Sequence, residues 1–322
     1  GQWLVQMFVL RREGFRYRPI LSFRDPGVRR IMALMAPAIL GLASTQVNIF
    51  VNTLIASFLP QGSVSYLNYS FRIMHFPLGM FGVAVATVTL PVAAAYAARK
   101  DTPGVCSTAS SSLKLVFFLT LPSIVFLALA AEPVIALLYQ HGRFSHQDTL
   151  LTAQALLFYS LGIFAIASVR VLAPVFYALG SARIPVRAGI ASVAVNVGLN
   201  LALMRPLGFK GLALAASVAA VVNMGILVLA MDRKFGPLGT RDLARTFFSI
   251  LACAAAMGLV LFGLQKVAAP ELGRASLLTR AAYTLGLFLA AASTYILLSL
   301  VLRIKEGTLL LGIFTRRNRS RE

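Results

Sequence analysis

GSVSYLNYSFRIMHFPLGMFGVAVATVTLP, residues 62–91, places Arg72 and His75 at the mouth of an otherwise apolar, glycine-rich segment. From Ile73 onward the run is long enough to cross a bilayer hydrocarbon core of about 30 Å. An arginine inside a spanning helix costs about 2.5–3.5 kcal/mol on insertion scales, so its usual setting is a polar cavity or a bound anion rather than lipid. The stretch therefore reads as a membrane helix with a working cation near its outer end, and Arg72 anchors the functional reading.

The rest of the chain repeats the pattern. Hydrophobic residues make up 58% of the sequence and charged residues 12%, a composition that places it among integral membrane proteins. Apolar runs of about 18 residues or more predict spans at 31–58, 73–97, 113–139, 150–177, 184–204, 209–231, 247–264 and 277–302. The expected fold is an all-α polytopic membrane protein of about eight helices. The first ten residues, GQWLVQMFVL, are apolar but too short to span. With no charged n-region and cleavage site before them, they read as the end of a severed helix, and the chain as a C-terminal fragment. The expected division is 1–30, a helix end with a basic linker; 31–240, six helices; 241–305, two further helices; and 306–322, a basic tail.

A formal net charge of +20 invites a nucleic-acid reading, yet the position of the cations relative to the spans argues otherwise. Arg11, Arg12, Arg16, Arg18, Arg24, Arg29 and Arg30 precede the first full helix, whereas the next loop has only Arg72 at its edge. Summed over the loops, one side collects about 22 Lys and Arg and the other about 7, so the richer side is cytoplasmic and both ends face it. Arg205, Lys210, Lys266, Arg274 and Arg280 fall in outer loops against the trend. The tail around Arg316, Arg317, Arg319 and Arg321 reads as an anchor for anionic membrane lipid, not for nucleic acid.

No constellation for covalent chemistry stands out, and the chain reads as a non-enzyme. Cys106 and Cys253 have no metal or disulfide spacing. The ten acidic residues lie almost entirely in loops, and no Ser-His-Asp or paired-carboxylate arrangement is visible. Polar residues within the spans carry more information, because positions three or four apart share a helix face. Thr45, Asn48 and Asn52 align on the first full helix, and Ser192, Asn196 and Asn200 on the fifth. These stripes are either interhelical hydrogen-bond glue, worth about 0.6 kcal/mol each, or a cation or substrate site. On the second helix Arg72, His75, Gly79, Gly82 and Ala86 form one face, either a passage lining or a small-residue packing seam with Arg72 snorkelling to the head groups. Pro77 frees the Ile73 carbonyl. Arg170, alone in mid-helix, is a second candidate, with pairing to a carbonyl or to Glu132 as the structural alternative. Ser145 and Asp148 are spaced as a capping box opening the fourth helix.

RDPGVRRIMALMAPAILGLASTQVNIFVNTLIASFLP from Arg24, followed by the 62–91 stretch, closely resembles the lipid II flippases of the MurJ (MviN) family. LPSIVFLALAAEPVIALLYQHGRF from Leu121, ALGSARIPV from Ala178 and NVGLNLALMRPLGFKGLALAASVAA from Asn196 are similar to the same family in the same order. The resemblance implies the C-terminal lobe, helices seven to fourteen, of a MOP-superfamily flippase, with the N-terminal lobe as a missing partner. It implies a bacterial inner-membrane protein that translocates lipid-linked peptidoglycan precursor (lipid II) by alternating access. Arg72, with His75 and Arg170 as further candidates, would hold the substrate, since a planar guanidinium donates paired charge-assisted bonds to a pyrophosphate. The two last helices would form a groove for the polyprenyl tail. Coupling to a sodium ion or to the membrane potential is implied too. Asn52, Asn196 and Asn200 fall at the sodium-site positions of some members, but amides replace the acidic ligands there and Ala216, with Ser217 adjacent, replaces a hydroxyl. The alternatives are a polysaccharide or drug exporter of the same superfamily, and a non-transporting split subunit or scaffold.

Overall fold

The computed structural model describes residues 2–12, 25–268, 276–302, 304 and 306–307. These are helical throughout, with no strand among them. The chain divides into two units, Gly1–Leu40 and Gly41–Glu322. The first holds α1 (Gln2–Arg12), where the Arg12 guanidinium lies 4.7 Å over the Phe8 ring, and the start of α2 (Pro26–Ala56). Asp25 opens α2 by accepting from the Gly27 and Val28 amides at 2.7 and 3.2 Å, and the Pro26 ring presets the first helical residue.

The second unit is the body of the molecule. Six helices among the described residues are long and apolar enough to span a membrane, and a bent pair makes a seventh; α2 adds 31 residues of helix. The 62–91 stretch lies in one continuous run, Ser63–Ala98, made of α3 (Ser63–Pro77), a π-helical segment (Leu78–Val83) and α4 (Ala84–Ala98). After it come α5 (Thr102–Leu129), α6 (Ala131–Tyr139), α7 (His146–Ser160), α8 (Ile163–Ala178), α9 (Arg183–Leu207), α10 (Phe209–Lys234), α11 (Thr240–Ala268) and α12 (Leu277–Val301).

Two expected spans are broken, for identifiable reasons. The 113–139 span starts earlier, at Thr102, where Asp101 caps the Gly104 amide at 2.9 Å. It ends at Leu129, because Pro133 has no N–H to give the carbonyl four residues back. That carbonyl, of Leu129, instead accepts from Gln265 Nε2 on α11 at 3.0 Å. The 150–177 span bends by 44° between α7 and α8. There the buried Ser217 hydroxyl of α10 donates to the carbonyls of Phe158 (2.7 Å) and Tyr159 (3.2 Å), adding to the bond that Tyr159 accepts from the Gly162 amide at 3.1 Å at a break where unpaired backbone groups are costly in the membrane.

The core runs between α5, α8 and α10, and small residues let the backbones approach: Ala109, Ala165, Ala167, Ala213, Ala215 and Ala219 are wholly buried. Phe117 of α5 meets Phe164 of α8 and Phe247 of α11 at ring-centroid distances of 6.2 and 5.2 Å. α12 is stitched on by polar contacts from the Tyr295 hydroxyl to the Phe118 carbonyl (2.8 Å) and from Arg280 to the Ala136 and Gln140 carbonyls (3.2 and 2.9 Å). Arg280, expected in an outer loop, is therefore a buried helical residue that tethers α12 to the end of α6. The basic tail, Arg16, Arg18 and Arg24, and the side chain of Thr45 lie outside the described residues.

Candidate functional site

The first turns of α3 are held to α7. The Tyr66 hydroxyl donates to Asp148 Oδ1 at 2.8 Å, and Asp148 completes the expected capping box with Ser145. One turn on, the Ser70 hydroxyl reaches the Thr152 carbonyl at 2.8 Å. This clamp fixes the rotation of α3 and so the bearing of Arg72 and His75.

Arg72 is exposed on α3, and neither a hydrogen bond nor an ion pair engages its guanidinium among the described residues. His75, half-buried, lies one turn further in. Its Nδ1 is 2.9 Å from the Phe71 carbonyl; a carbonyl only accepts, so Nδ1 carries the hydrogen. The imidazole also packs on the Phe71 ring at 4.1 Å, which in turn meets Tyr159 at 5.9 Å. Arg170 comes from α8, half-buried, and its charge reaches the His75 ring. Arg170 is thus within electrostatic reach of His75, and His75 sits one helical turn from Arg72 on α3. The Arg170–Glu132 pair does not form: among the described residues the ion pair is Lys114–Asp242. Glu132 instead occupies the first turn of α6, where the helix N-terminus favours an anion. Two guanidinium groups in apolar helices, with no counter-charge paired to them among the described residues, make a setting suited to an anionic ligand.

The expected small-residue face does not survive intact. The π-helical segment shifts the register just past Pro77. Gly79 faces open space, whereas Gly82 is buried, and a Cβ there would stand 3.2 Å from the Ala167 Cβ on α8. Gly82 is a packing contact and Gly79 is not, so the stripe divides into an open part beside His75 and a closed seam below it.

The amide stripes do converge. Asn200 Nδ2 lies 2.6 Å from Asn52 Oδ1 and 3.0 Å from Asn196 Oδ1, joining α2 to α9; Asn196 and Asn200 are wholly buried. Ser192 leaves the group to donate to the Ala219 carbonyl on α10 at 2.8 Å. A cleft of about 50 Å³ lined by Asn52, Asn68, Phe71 and Tyr159 runs between Asn52 and the Phe71 ring on which His75 packs. Ser217 is spent on the α7 carbonyls; sequence reading noticed it only as a neighbour of Ala216, because nothing local marks a hydroxyl that serves a break in another helix. No group of three or more His, Cys, Asp or Glu able to hold a metal occurs among the described residues.

A family model described as lipid II flippase MurJ matches residues 1–283. The chain is 35% identical over 262 residues to a probable lipid II flippase MurJ of Vibrio cholerae serotype O1, covering 81% of this chain and 49% of the relative. A probable lipid II flippase MurJ of Rhizobium meliloti is 37% identical over 288 residues, 88% of this chain and 52% of the relative. The chain spans about half the length of these curated relatives. Among solved structures, a lipid II flippase MurJ in an inward closed conformation superposes with a TM-score of 0.72 at 23% identity, over 92% of this chain and 59% of that one. The overlay supports the fold, and the sequence matches decide among the superfamily's members: the chain belongs to the lipid II flippase MurJ family.

Proposed function

We propose that the chain acts as the C-terminal lobe, helices seven to fourteen, of a lipid II flippase in the bacterial inner membrane, with both ends cytoplasmic, and works with an N-terminal lobe. In this reading Arg72 receives the pyrophosphate of the lipid-linked precursor, and Arg170 and His75 form the inner wall of the same anion seat. The observation that carries it is the pair of uncompensated guanidinium groups beside His75 in a chain of this family. Flipping moves a head group across the bilayer without making or breaking a covalent bond, so charge and hydrogen-bond donors suffice. α11 and α12 carry the polyprenyl tail along the apolar surface that includes Phe248, Leu259, Phe288 and Leu297, all more than half exposed.

Binding of a fluorescent undecaprenyl-pyrophosphate lipid to the purified chain in nanodiscs tests the seat. Charge-assisted hydrogen bonds are worth about 1.5–3 kcal/mol, so Arg72→Ala should weaken binding about 10- to 150-fold. Arg72→Lys should fall between, since an ammonium keeps the charge but loses the paired donors. Unchanged affinity in a folded Arg72→Ala variant would refute the head-group role.

A further inference from the structure

The three amides of α2 and α9 occupy positions where some relatives would place a cation, and their geometry differs from that of a cation site. In a cation site, oxygens from several side chains converge on one point. Here the point of convergence is a nitrogen. Asn200 Nδ2 stands 2.6 Å from Asn52 Oδ1 and 3.0 Å from Asn196 Oδ1; the second is an ordinary N–H···O length and lies beyond the range of about 2.3–2.6 Å at which a hard cation holds its oxygen ligands. Both oxygens are already engaged. Rotating the Asn200 amide by a half-turn would bring its oxygen against the other two, a cluster that only a positive guest would hold together. With the nitrogen at the centre, that repulsion is absent.

Two other atoms of the trio stay unpaired in this arrangement. Asn200 Oδ1 and Asn196 Nδ2 are buried without partners: one is an acceptor and the other a donor. A water, which both accepts and donates, suits such a pair. A metal ion suits the oxygen alone and is repelled by the N–H. Charge points the same way. Asn52, Asn196 and Asn200 are neutral, and a buried cation without an anionic partner carries a heavy desolvation penalty.

We infer that the amide nitrogen of Asn200 is a built-in substitute for a bound cation: the junction of α2 and α9 is closed by an intramolecular donor and does not depend on sodium. Residue 200 is then the determinant of ion dependence, and an aspartate there restores the charge that a cation needs. The inference is independent of the pyrophosphate seat, because its readout involves no lipid substrate.

The test is thermal unfolding of the full purified chain in detergent at about pH 8, where a carboxylate of ordinary pKa is ionised. Sodium, potassium and choline chloride are exchanged at constant ionic strength. The unmodified chain is expected to unfold within about 1 °C in all three salts. Asn200→Asp is expected to gain a rise of several degrees that saturates with sodium and is absent in choline, as ligand linkage requires. Asn52→Asp, which places the charge on α2, should do the same and decides the matter if Asn200→Asp does not fold. A saturable sodium response in the unmodified chain, abolished by Asn200→Ala, would overturn the inference. So would two folded aspartate variants that both ignore sodium.

Discussion

Arg170 weighs the cost of an uncompensated charge against the role proposed for it. A half-buried guanidinium on an apolar helix, without an acidic partner among the described residues, lowers the stability of the lobe that carries it. Replacing even a buried ion pair by well-packed apolar side chains is often neutral or stabilising, and a guanidinium without an acidic partner has no pairing energy to lose. Arg170→Met should therefore raise the thermal midpoint of the chain in detergent while weakening binding of the pyrophosphate lipid several-fold. A structural arginine would give the opposite result, a lower midpoint with unchanged binding. Arg72 and Arg170 were both legible in the sequence, because a lone charge in an apolar run is conspicuous. The partnership of Arg170 with His75 was not, since 95 residues of chain separate them and the expected partner, Glu132, is nearer in sequence. Arg280 was misread for a related reason: a cation close to a span end looks like a loop residue until the carbonyls of Ala136 and Gln140 are seen around it.

Between residues and molecule, the breaks in helices carry the shape of the site. The bend between α7 and α8 rests on the Ser217 hydroxyl and on Gly162, where a Cβ would stand 2.8 Å from the Ser217 Cα. Gly162→Ala should force α7 or α8 away from α10 and destabilise the chain by about 1–3 kcal/mol, as overpacking does; a thermal midpoint measured in detergent checks it. Ser217→Ala should cost less, about 1 kcal/mol, the usual worth of one hydrogen bond. If Gly162→Ala left the midpoint unchanged, the close approach at the bend would not be a determinant of the fold. Hydropathy predicted long spans here because the apolar run continues through the break, and composition records neither the Leu129 carbonyl that Pro133 leaves free and Gln265 satisfies nor the π-helical turn after Pro77. Periodicity marked Asn52, Asn196 and Asn200, which the structure brings together, but not that Ser192 turns to α10, and it assumes 3.6 residues per turn throughout. The Gly79–Gly82 face failed where that assumption does.

At the scale of the molecule, the fold class was readable from composition and span length alone, since a bilayer admits few ways to satisfy a backbone. The family was readable from segments that fix the same helices in the same order, and a family model matches residues 1–283. Which charges act together was readable only in three dimensions. The central claim is that this chain supplies one lobe of a flippase whose head-group seat includes Arg72. Its most direct test is complementation of flippase-depleted bacteria by the chain co-expressed with an N-terminal lobe from a relative, with the chain alone as control. The account predicts rescue by the pair, loss of rescue in Arg72→Ala and partial rescue in Arg72→Lys. Full rescue by Arg72→Ala at normal expression would contradict it.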